Sequence, residues 1–322
     1  MAIAGPDPER DLHDALEAWA RDHAARFEDV GVFDYDPEAR PEQRIDTFKT
    51  LVSEQVLALT KDQIQTALRS RYEAALGTTA RNIFEELTRP RESSGGDSIA
   101  ASIAQLLDQG KSVALLSPHA DRLEDIGAFS AGLAVAFGDA DHIQRNGLIL
   151  NKVMTRELYK GRPMVEMFEP FGNIYWVIPE TDAPARWGIR QAEKNFVNLN
   201  AMRQLLGDIR TGTIITFAPT GSVMRRTVDD SGELSALHLP PIGKTSARLM
   251  ARFDAYAIIV LWRDQVRIGP LTHVGIQHDN SSSDRQKAIS ALASDVLTAM
   301  STLTEDVAGV PVIQPPDVVV DE

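Results

Sequence analysis

The chain has 322 residues, 43% hydrophobic and 25% charged, which is the balance of a soluble globular protein with room for a substantial core. Its formal net charge of −13 disfavours nonspecific binding to nucleic acid, and the absence of cysteine excludes disulfide bonds, thiolate metal sites and a cysteine nucleophile. Without a long apolar run or a secretory signal, the sequence predicts a cytoplasmic protein with at most peripheral membrane contact.

The N-terminal part of the chain has the apolar spacing of helices. Residues 8–30 predict one helix, and residues 45–87 predict two or three more. Segment 89–98 contains prolines, serines and a glycine pair without an apolar anchor, so it is the best candidate for a linker. We therefore predict a helical N-terminal domain over 1–92.

From residue 99 onward the pattern alternates between helix and strand, which predicts an α/β domain over 93–322. The predicted helices are 99–109, 123–137, 186–209, 243–253 and 283–305. The predicted strands are 112–116, 147–150, 174–178, 213–217 and 255–262, with a hairpin-like segment at 227–236. The proline-rich tail after Gly309 is expected to be loosely held.

A histidine follows the strand 112–116 at the point where the chain turns toward the next helix. This residue, His119, is a candidate general base, and Glu124 and Asp125 are candidate carboxylates to orient its ring. A structural interpretation also fits, because Asp121 and Glu124 match an N-cap residue and its capping-box partner. The segment alone leaves both interpretations open.

A second strand, 213–217, ends in the loop Ala218-Pro219-Thr220-Gly221. Because the carboxyl ends of parallel strands lie on one edge of a sheet, we expect this loop to meet the His119 turn at a crevice.

The two strand ends and their order resemble the glycerolipid acyltransferases, and most closely the soluble plastid-type glycerol-3-phosphate acyltransferases. The first block of that family, H-x-x-x-x-D after a strand, corresponds to SPHADRLED. Its second block, a P-S/E-G loop followed by arginines, corresponds to FAPTGSVMRR. The similarity extends over about 35–265 in the same order. It implies a glycerol-3-phosphate acyltransferase-like mixed sheet flanked by helices.

The resemblance implies an acyltransferase that moves an acyl group from an acyl carrier protein or coenzyme A thioester to a small-molecule acceptor hydroxyl or amine. His119 would be its general base, with Glu124 or Asp125 holding the imidazole. The residues implied to bind substrate are Thr220, Gly221, Ser222, Arg225 and Arg226. Backbone N–H groups at the N-terminus of the helix after His119 or in the Pro219-Thr220-Gly221 loop would stabilise the oxyanion. No cofactor beyond the thioester co-substrate is implied, and the remaining histidines lack the spacing of metal ligands.

Three departures from the family bear on the acceptor. Position 124 is Glu where the family has Asp, and Val223 replaces the first of two phosphate-binding arginines, of which Arg225 is kept. Pro179 and Glu180 replace a Lys-His pair. The loss of cations favours an uncharged or amine acceptor over glycerol-3-phosphate. The altered carboxylate spacing and arginine loop also keep open a second hypothesis, a catalytically silent acyltransferase-fold protein that binds an acyl carrier or another partner.

Basic residues recur every four positions at Lys244, Arg248 and Arg252. The same spacing recurs at Lys152, Arg156 and Lys160. On a helix each series would share one face. That face is either a solvated surface or a docking surface for an acidic acyl carrier protein or for the phosphates of coenzyme A, and we assign carrier docking to Lys244, Arg248 and Arg252.

Overall fold

The computed structural model describes residues 78–91, 96–119, 145–151, 158–159, 162–163, 173–177, 191–262, 265–276 and 282–320. The helices predicted in 8–30 and 123–137, and most of those predicted in 45–87, fall outside these ranges. The division into two domains at residue 92 therefore stays a prediction.

The described residues form five helices and fourteen strands, and we number both in chain order. The helices are α1 (Thr78–Thr88), α2 (Ile99–Asp108), α3 (Gln191–Arg210), α4 (Lys244–Met250) and α5 (Ser282–Ala308). The first seven strands are β1 (Val113–Leu116), β2 (Asn146–Asn151), β3 (Leu158–Tyr159), β4 (Arg162–Pro163), β5 (Asn173–Val177), β6 (Ile214–Phe217) and β7 (Arg225–Val228). The others are β8 (Leu234–His238), β9 (Ile242–Gly243), β10 (Ala255–Trp262), β11 (Gln265–Ile268), β12 (Thr272–His273), β13 (Val312–Ile313) and β14 (Val319–Val320). None of these helices is both long and apolar enough to cross a membrane.

The main sheet has the strand order β11-β10-β1-β6-β2-β5, and β12 pairs with β10. Strands β10, β1, β6, β2 and β5 are mutually parallel, whereas β11 and β12 run antiparallel to β10. The described chain is thus α/β with a mixed sheet, as predicted. In the central register Leu116 is paired with both Ile258 and Phe217, so the carboxyl ends of β10, β1 and β6 share one edge. We call it the carboxyl edge.

The central strands are apolar because both of their faces are covered. Every residue of β1 and of β10 is buried, which explains their continuous hydrophobic runs. Alternate residues of β1 enter two cores, with Ala114 and Leu116 on one face and Val113 and Leu115 on the other. The helical residues that complete these cores include Leu205, Ile209, Val296 and Met300 on the first face, and Ile83, Leu87, Ile103 and Leu107 on the second. Burial of one leucine or isoleucine side chain stabilises the folded state by about 1.5–3 kcal/mol relative to leaving that side chain exposed.

Helix α1 packs on the second face, although it precedes the segment predicted as a linker. Within that segment Pro90 bridges Ser98, and the Arg91 guanidinium donates to the carbonyl oxygen of Ile268 at 2.7 Å. Arg91 also pairs with the buried carboxylate of Glu86 at 2.9 Å. Burial lowers the pKa of Arg91, while the Glu86 carboxylate opposes that shift. These contacts tie α1 to the end of β11.

The prediction of a loosely held tail is wrong for the described part of that segment. Strand β13 pairs in parallel with β8, and β14 pairs in parallel with β9. The N–H groups of Leu237, Leu239 and Ile242 donate to tail carbonyls across 2.9–3.0 Å. Prolines remove N–H donors from the tail but leave its carbonyl groups as acceptors, so an extended proline-rich segment can still complete a sheet edge.

Candidate functional site

The His119 turn and the loop after β6 are in backbone contact at the carboxyl edge. His119 forms a parallel bridge with Val223, and the N–H of Met224 donates to the carbonyl oxygen of His119 at 2.9 Å. Two residues before His119, the N–H of Ser117 donates to the carbonyl oxygen of Phe217 at 3.1 Å. The two strand ends lie against each other, as the parallel arrangement led us to expect.

The loop between β6 and β7 is a tight turn closed by its own backbone. Gly221 has a φ of +63°, and its N–H donates to the carbonyl oxygen of Ala218 at 3.0 Å. The hydroxyl of Thr220, which is buried, donates to the carbonyl oxygen of Ser222 at 3.2 Å. The N–H groups of Gly221 and Met224 are already bonded and Pro219 has none, so Thr220 and Ser222 are among the loop residues whose N–H groups are candidate donors to a substrate.

Arg225 and Arg226 open β7, and consecutive strand residues point to opposite faces. Arg225 is paired across the hairpin with His238, whose Nε2 lies 2.8 Å from the hydroxyl of Thr227 on the same face. Arg226 is paired with Leu237, a core residue that is fully buried. The two arginines therefore project from opposite sides of the hairpin.

Trp262, the last residue of β10, lies under Arg226. The guanidinium carbon of Arg226 is 5.1 Å from the centroid of the Trp262 ring, a cation–π distance. Sequence reasoning predicted the strand and assigned no role to Trp262. The signal that could have found it was its position at the carboxyl end of a strand whose parallel neighbour, β1, leads into the His119 turn.

The turn that joins β7 to β8 is held by one carboxylate. Oδ1 of Asp229 accepts hydrogen bonds from the N–H and the hydroxyl of Ser231 at 2.9 and 2.6 Å, and from the N–H of Glu233 at 3.0 Å. The hydroxyl bond from Ser231, followed by the backbone bond from Glu233, lowers the pKa of Asp229. This turn closes the hairpin of β7 and β8, and the pairing register shifts between Val228 and Thr227 before it reaches the two arginines.

The proposed docking residues are only partly on one helix. Lys244 begins α4 and Arg248 lies one turn later, so these two share a face. The helix ends at Met250, before Arg252, and does not reach the predicted residue 253. The end is tightened because the N–H groups of Arg252 and Phe253 donate to the carbonyl oxygens three residues earlier. Arg248 and Arg252 are exposed.

Several residues of the sequence hypothesis fall outside the part of the chain that the structure describes. They are Glu124, Asp125, Pro179, Glu180, Lys152, Arg156 and Lys160. Which carboxylate orients His119 therefore stays a prediction.

No protein-family model matches this chain, and no curated protein matches it either. The function is therefore inferred from the site and from the motif resemblance.

Proposed function

We propose that this protein is an acyltransferase that moves an acyl group from an acyl carrier protein or coenzyme A thioester to an acceptor hydroxyl or amine. The observation that carries the proposal is the contact of His119 with the Val223–Met224 segment at the carboxyl edge. It joins a candidate base to a loop with polar groups and two arginines, which is the combination that the motif resemblance implies.

In the proposed reaction His119 takes a proton from the acceptor as its oxygen or nitrogen attacks the thioester carbonyl carbon. The carbon–sulfur bond then breaks, and the leaving thiolate takes up the proton that His119 holds. A positioned base of this kind contributes roughly 10²–10⁴ in rate. The N–H groups of Thr220 and Ser222 are the loop donors proposed for the transient oxyanion.

The proposed acceptor is uncharged or an amine. Val223 occupies the position where the family has its first phosphate-binding arginine, and its side chain is 45% exposed beside His119. Arg225, which aligns with the second arginine, faces His238 on the outer side of the hairpin. Both features reduce the positive charge available to a glycerol-3-phosphate headgroup.

The test is a thioester-release assay with a free-thiol reagent, with acyl carrier protein and coenzyme A donors. His119→Ala and His119→Gln should each lower the rate at least about a hundredfold. His273→Ala is the matched control, because His273 is an exposed histidine paired with Ala255 at the opposite edge of the sheet. Full activity of both His119 variants, with melting temperatures like that of the parent chain, would contradict the proposal.

The second candidate is a catalytically silent protein that binds an acyl carrier. The apolar side chain of Val223 at the position of a family cation favours it. Under this hypothesis the parent chain would bind the carrier and yet release no thiol above the level of His119→Ala.

A further inference from the structure

We propose that two copies of this chain associate by antiparallel pairing of their β7 strands about a two-fold axis at Val228. In such an interface each copy offers the same strand edge to the other. The proposal concerns assembly and goes beyond the proposed acyl transfer, because association can be measured without any substrate.

Strand β7 lies at one end of the three-stranded sheet β13-β8-β7 and is open to solvent. Among the strands that the structure describes, β8 is the one that pairs with it. All four residues of β7 are exposed, and so is the turn that follows through Glu233. A strand edge of this kind is a template for pairing with the edge of another chain. We call the edge of β7 that faces away from β8 its outer edge.

The backbone groups of Val228 face the outer edge. The carbonyl oxygen of Thr227 accepts a hydrogen bond from the Ser235 hydroxyl at 3.1 Å, and the N–H of Asp229 donates to the carbonyl oxygen of Glu233 at 2.9 Å. Both of these partners lie across the hairpin, on the side of β8. Because consecutive strand residues turn their backbone groups to alternate sides, the N–H and carbonyl of Val228 point away from β8.

The contact with the His119 turn limits where a second chain can pair. The N–H of Met224 donates to the carbonyl oxygen of His119 at 2.9 Å, so this position is already occupied just before β7 begins. A partner strand is therefore confined to the end of β7. With Val228 on the axis, each Val228 N–H donates to the Val228 carbonyl of the other copy, which is a hydrogen-bonded antiparallel pair.

The side chain of Val228 adds an apolar contact at the same place. It is 58% exposed, although it belongs to a strand. On the axis it would lie opposite its own copy, at the distance of about 4.5–5.5 Å between Cβ atoms that directly opposed residues have. The pairing would thus remove two exposed valine side chains from water.

The charges of the segment are self-complementary in this arrangement. Arg225 and Arg226 begin β7, whereas Asp229 and Asp230 follow its end. About an axis at Val228, the basic pair of one copy lies beside the acidic pair of the other, at both ends of the interface. Parallel pairing would instead bring like charges together, which is destabilising.

Charges on a strand edge commonly prevent association, and the order of the signs distinguishes the two cases. Charges of one sign along the edge repel a second copy in either orientation. Here the two signs are separated along the chain, so antiparallel copies attract each other at close range. The net charge of −13 repels copies at long range, but salt at 0.15 M screens interactions beyond about 8 Å. Because the edge is short, we expect a dimer that dissociates on dilution.

The first experiment measures the mass of the full chain by light scattering after size-exclusion chromatography at about 0.15 M salt. The mass should rise from 35.4 kDa towards twice this value as the concentration increases. A parent chain that keeps the monomer mass up to about 1 mM, where even a weak complex forms, would overturn the proposal.

Val228→Lys tests the position of the axis. A lysine there meets the lysine of the other copy, and directly opposed like charges are destabilising, so the dissociation constant should rise by about tenfold or more. Ile313→Lys is the matched control and should associate like the parent chain. Ile313 is 47% exposed and lies in β13, at the other edge of the same sheet. Association of Val228→Lys like the parent chain, or an equal loss in both variants, would overturn the proposal.

Val228→Pro tests the backbone pairing. It removes the N–H that faces the outer edge, at a kind of position where a strand accepts proline. Far-UV circular dichroism checks that the chain remains folded, and the dissociation constant should again rise by about tenfold or more. Unchanged association of the folded variant would show that β7 does not pair through its backbone.

Two charge variants test the antiparallel orientation. Arg225→Glu and Asp230→Arg should each associate less than the parent chain, and the choice of Asp230 spares the Asp229 carboxylate that holds the turn. Mixed in equal amounts they should associate more than either does alone at the same total concentration. The reason is that the basic strand beginning of one variant then meets the acidic strand end of the other. A mixture with a mean mass no greater than the average of the two variants would overturn the proposal.

Discussion

The N–H of Met224 donates a hydrogen bond to the carbonyl oxygen of His119 across 2.9 Å, so the loop after β6 is fastened to the turn after β1. The bond uses only backbone atoms. Substitutions of the neighbouring side chains therefore change the chemistry of the site without removing the contact that assembles it.

Val223→Arg should improve the use of glycerol-3-phosphate. The side chain at this position is 45% exposed beside His119, so an arginine fits without displacing the core. One charge-assisted hydrogen bond is worth about 1.5–3 kcal/mol, and KM for glycerol-3-phosphate should fall about tenfold or more. Val228→Arg, at a 58% exposed position at the end of β7, is the control and should have no such effect. Efficient, Arg225-dependent use of glycerol-3-phosphate by the parent chain would instead contradict the proposed acceptor class.

Of the two carboxylates after His119, Glu124 is expected to matter more. It stands five residues after the histidine, where the family has its aspartate. Glu124→Gln should lower kcat more than Asp125→Asn, because a neutral amide no longer favours the imidazolium that forms during the reaction. The comparison needs only initial rates at saturating substrate. The reverse order would assign the orienting role to Asp125.

Charge reversal on α4 should weaken the binding of an acidic carrier protein. Lys244 and Arg248 share one face of the helix, and the double variant Lys244→Glu, Arg248→Glu should raise KM for the carrier thioester. The difference should shrink with added salt, since screening acts over about 8 Å at physiological ionic strength. Lys287→Glu, at an exposed position of α5, is the control. An unchanged KM at low salt would make this face an ordinary solvated surface.

Gly212→Ala should destabilise the fold. Gly212 has a φ of +84°, and a Cβ there would lie 2.9 Å from the backbone carbon of Gly110. A side chain in this conformation costs on the order of 1–3 kcal/mol, before any cost of the contact with Gly110. Gly207→Ala is the control with the opposite expected sign. Gly207 lies in α3, and a Cβ there would meet nothing within 4 Å. Alanine at this position should therefore stabilise the folded chain by about 0.5–1 kcal/mol. Urea unfolding measures both, and equal stability of the two variants would refute the argument.

The Asp229 turn should weaken in acid. The hydrogen bond from the Ser231 hydroxyl is the main cause that lowers the pKa of Asp229 in the folded chain. The carboxylate therefore stabilises the turn at pH values above 3.8, its ordinary pKa. That stabilisation disappears as the pH falls through the lowered pKa. At pH 7, Asp229→Ala should speed amide exchange at Ser231 and Glu233, and Asp230→Ala should not. Exchange that is insensitive to Asp229→Ala would show that the backbone alone holds the turn.

The sequence by itself determined the elements that are buried on both faces. Strand β10 was predicted at 255–262 and spans Ala255–Trp262, because a strand in the middle of a covered sheet has no polar alternation and its apolar run marks its ends. Helical periodicity likewise located α2, α3 and α5. The shared edge of the two motif-bearing strands was also predicted, because parallel strands place their carboxyl ends together.

Only the tertiary structure decided how the side chains at that edge are arranged. Two adjacent arginines are equivalent in the sequence, and the pairing of Arg225 with His238 and Arg226 with Leu237 separates them. The stacking of Arg226 on Trp262 joins residues from different strands, which no local pattern encodes. The tail gains order in the same way, through partners such as Leu237 that are distant along the chain. Local spacing in the sequence specifies helices and buried strands. The direction of a surface side chain and the residue that it contacts depend instead on how strands distant in sequence are paired.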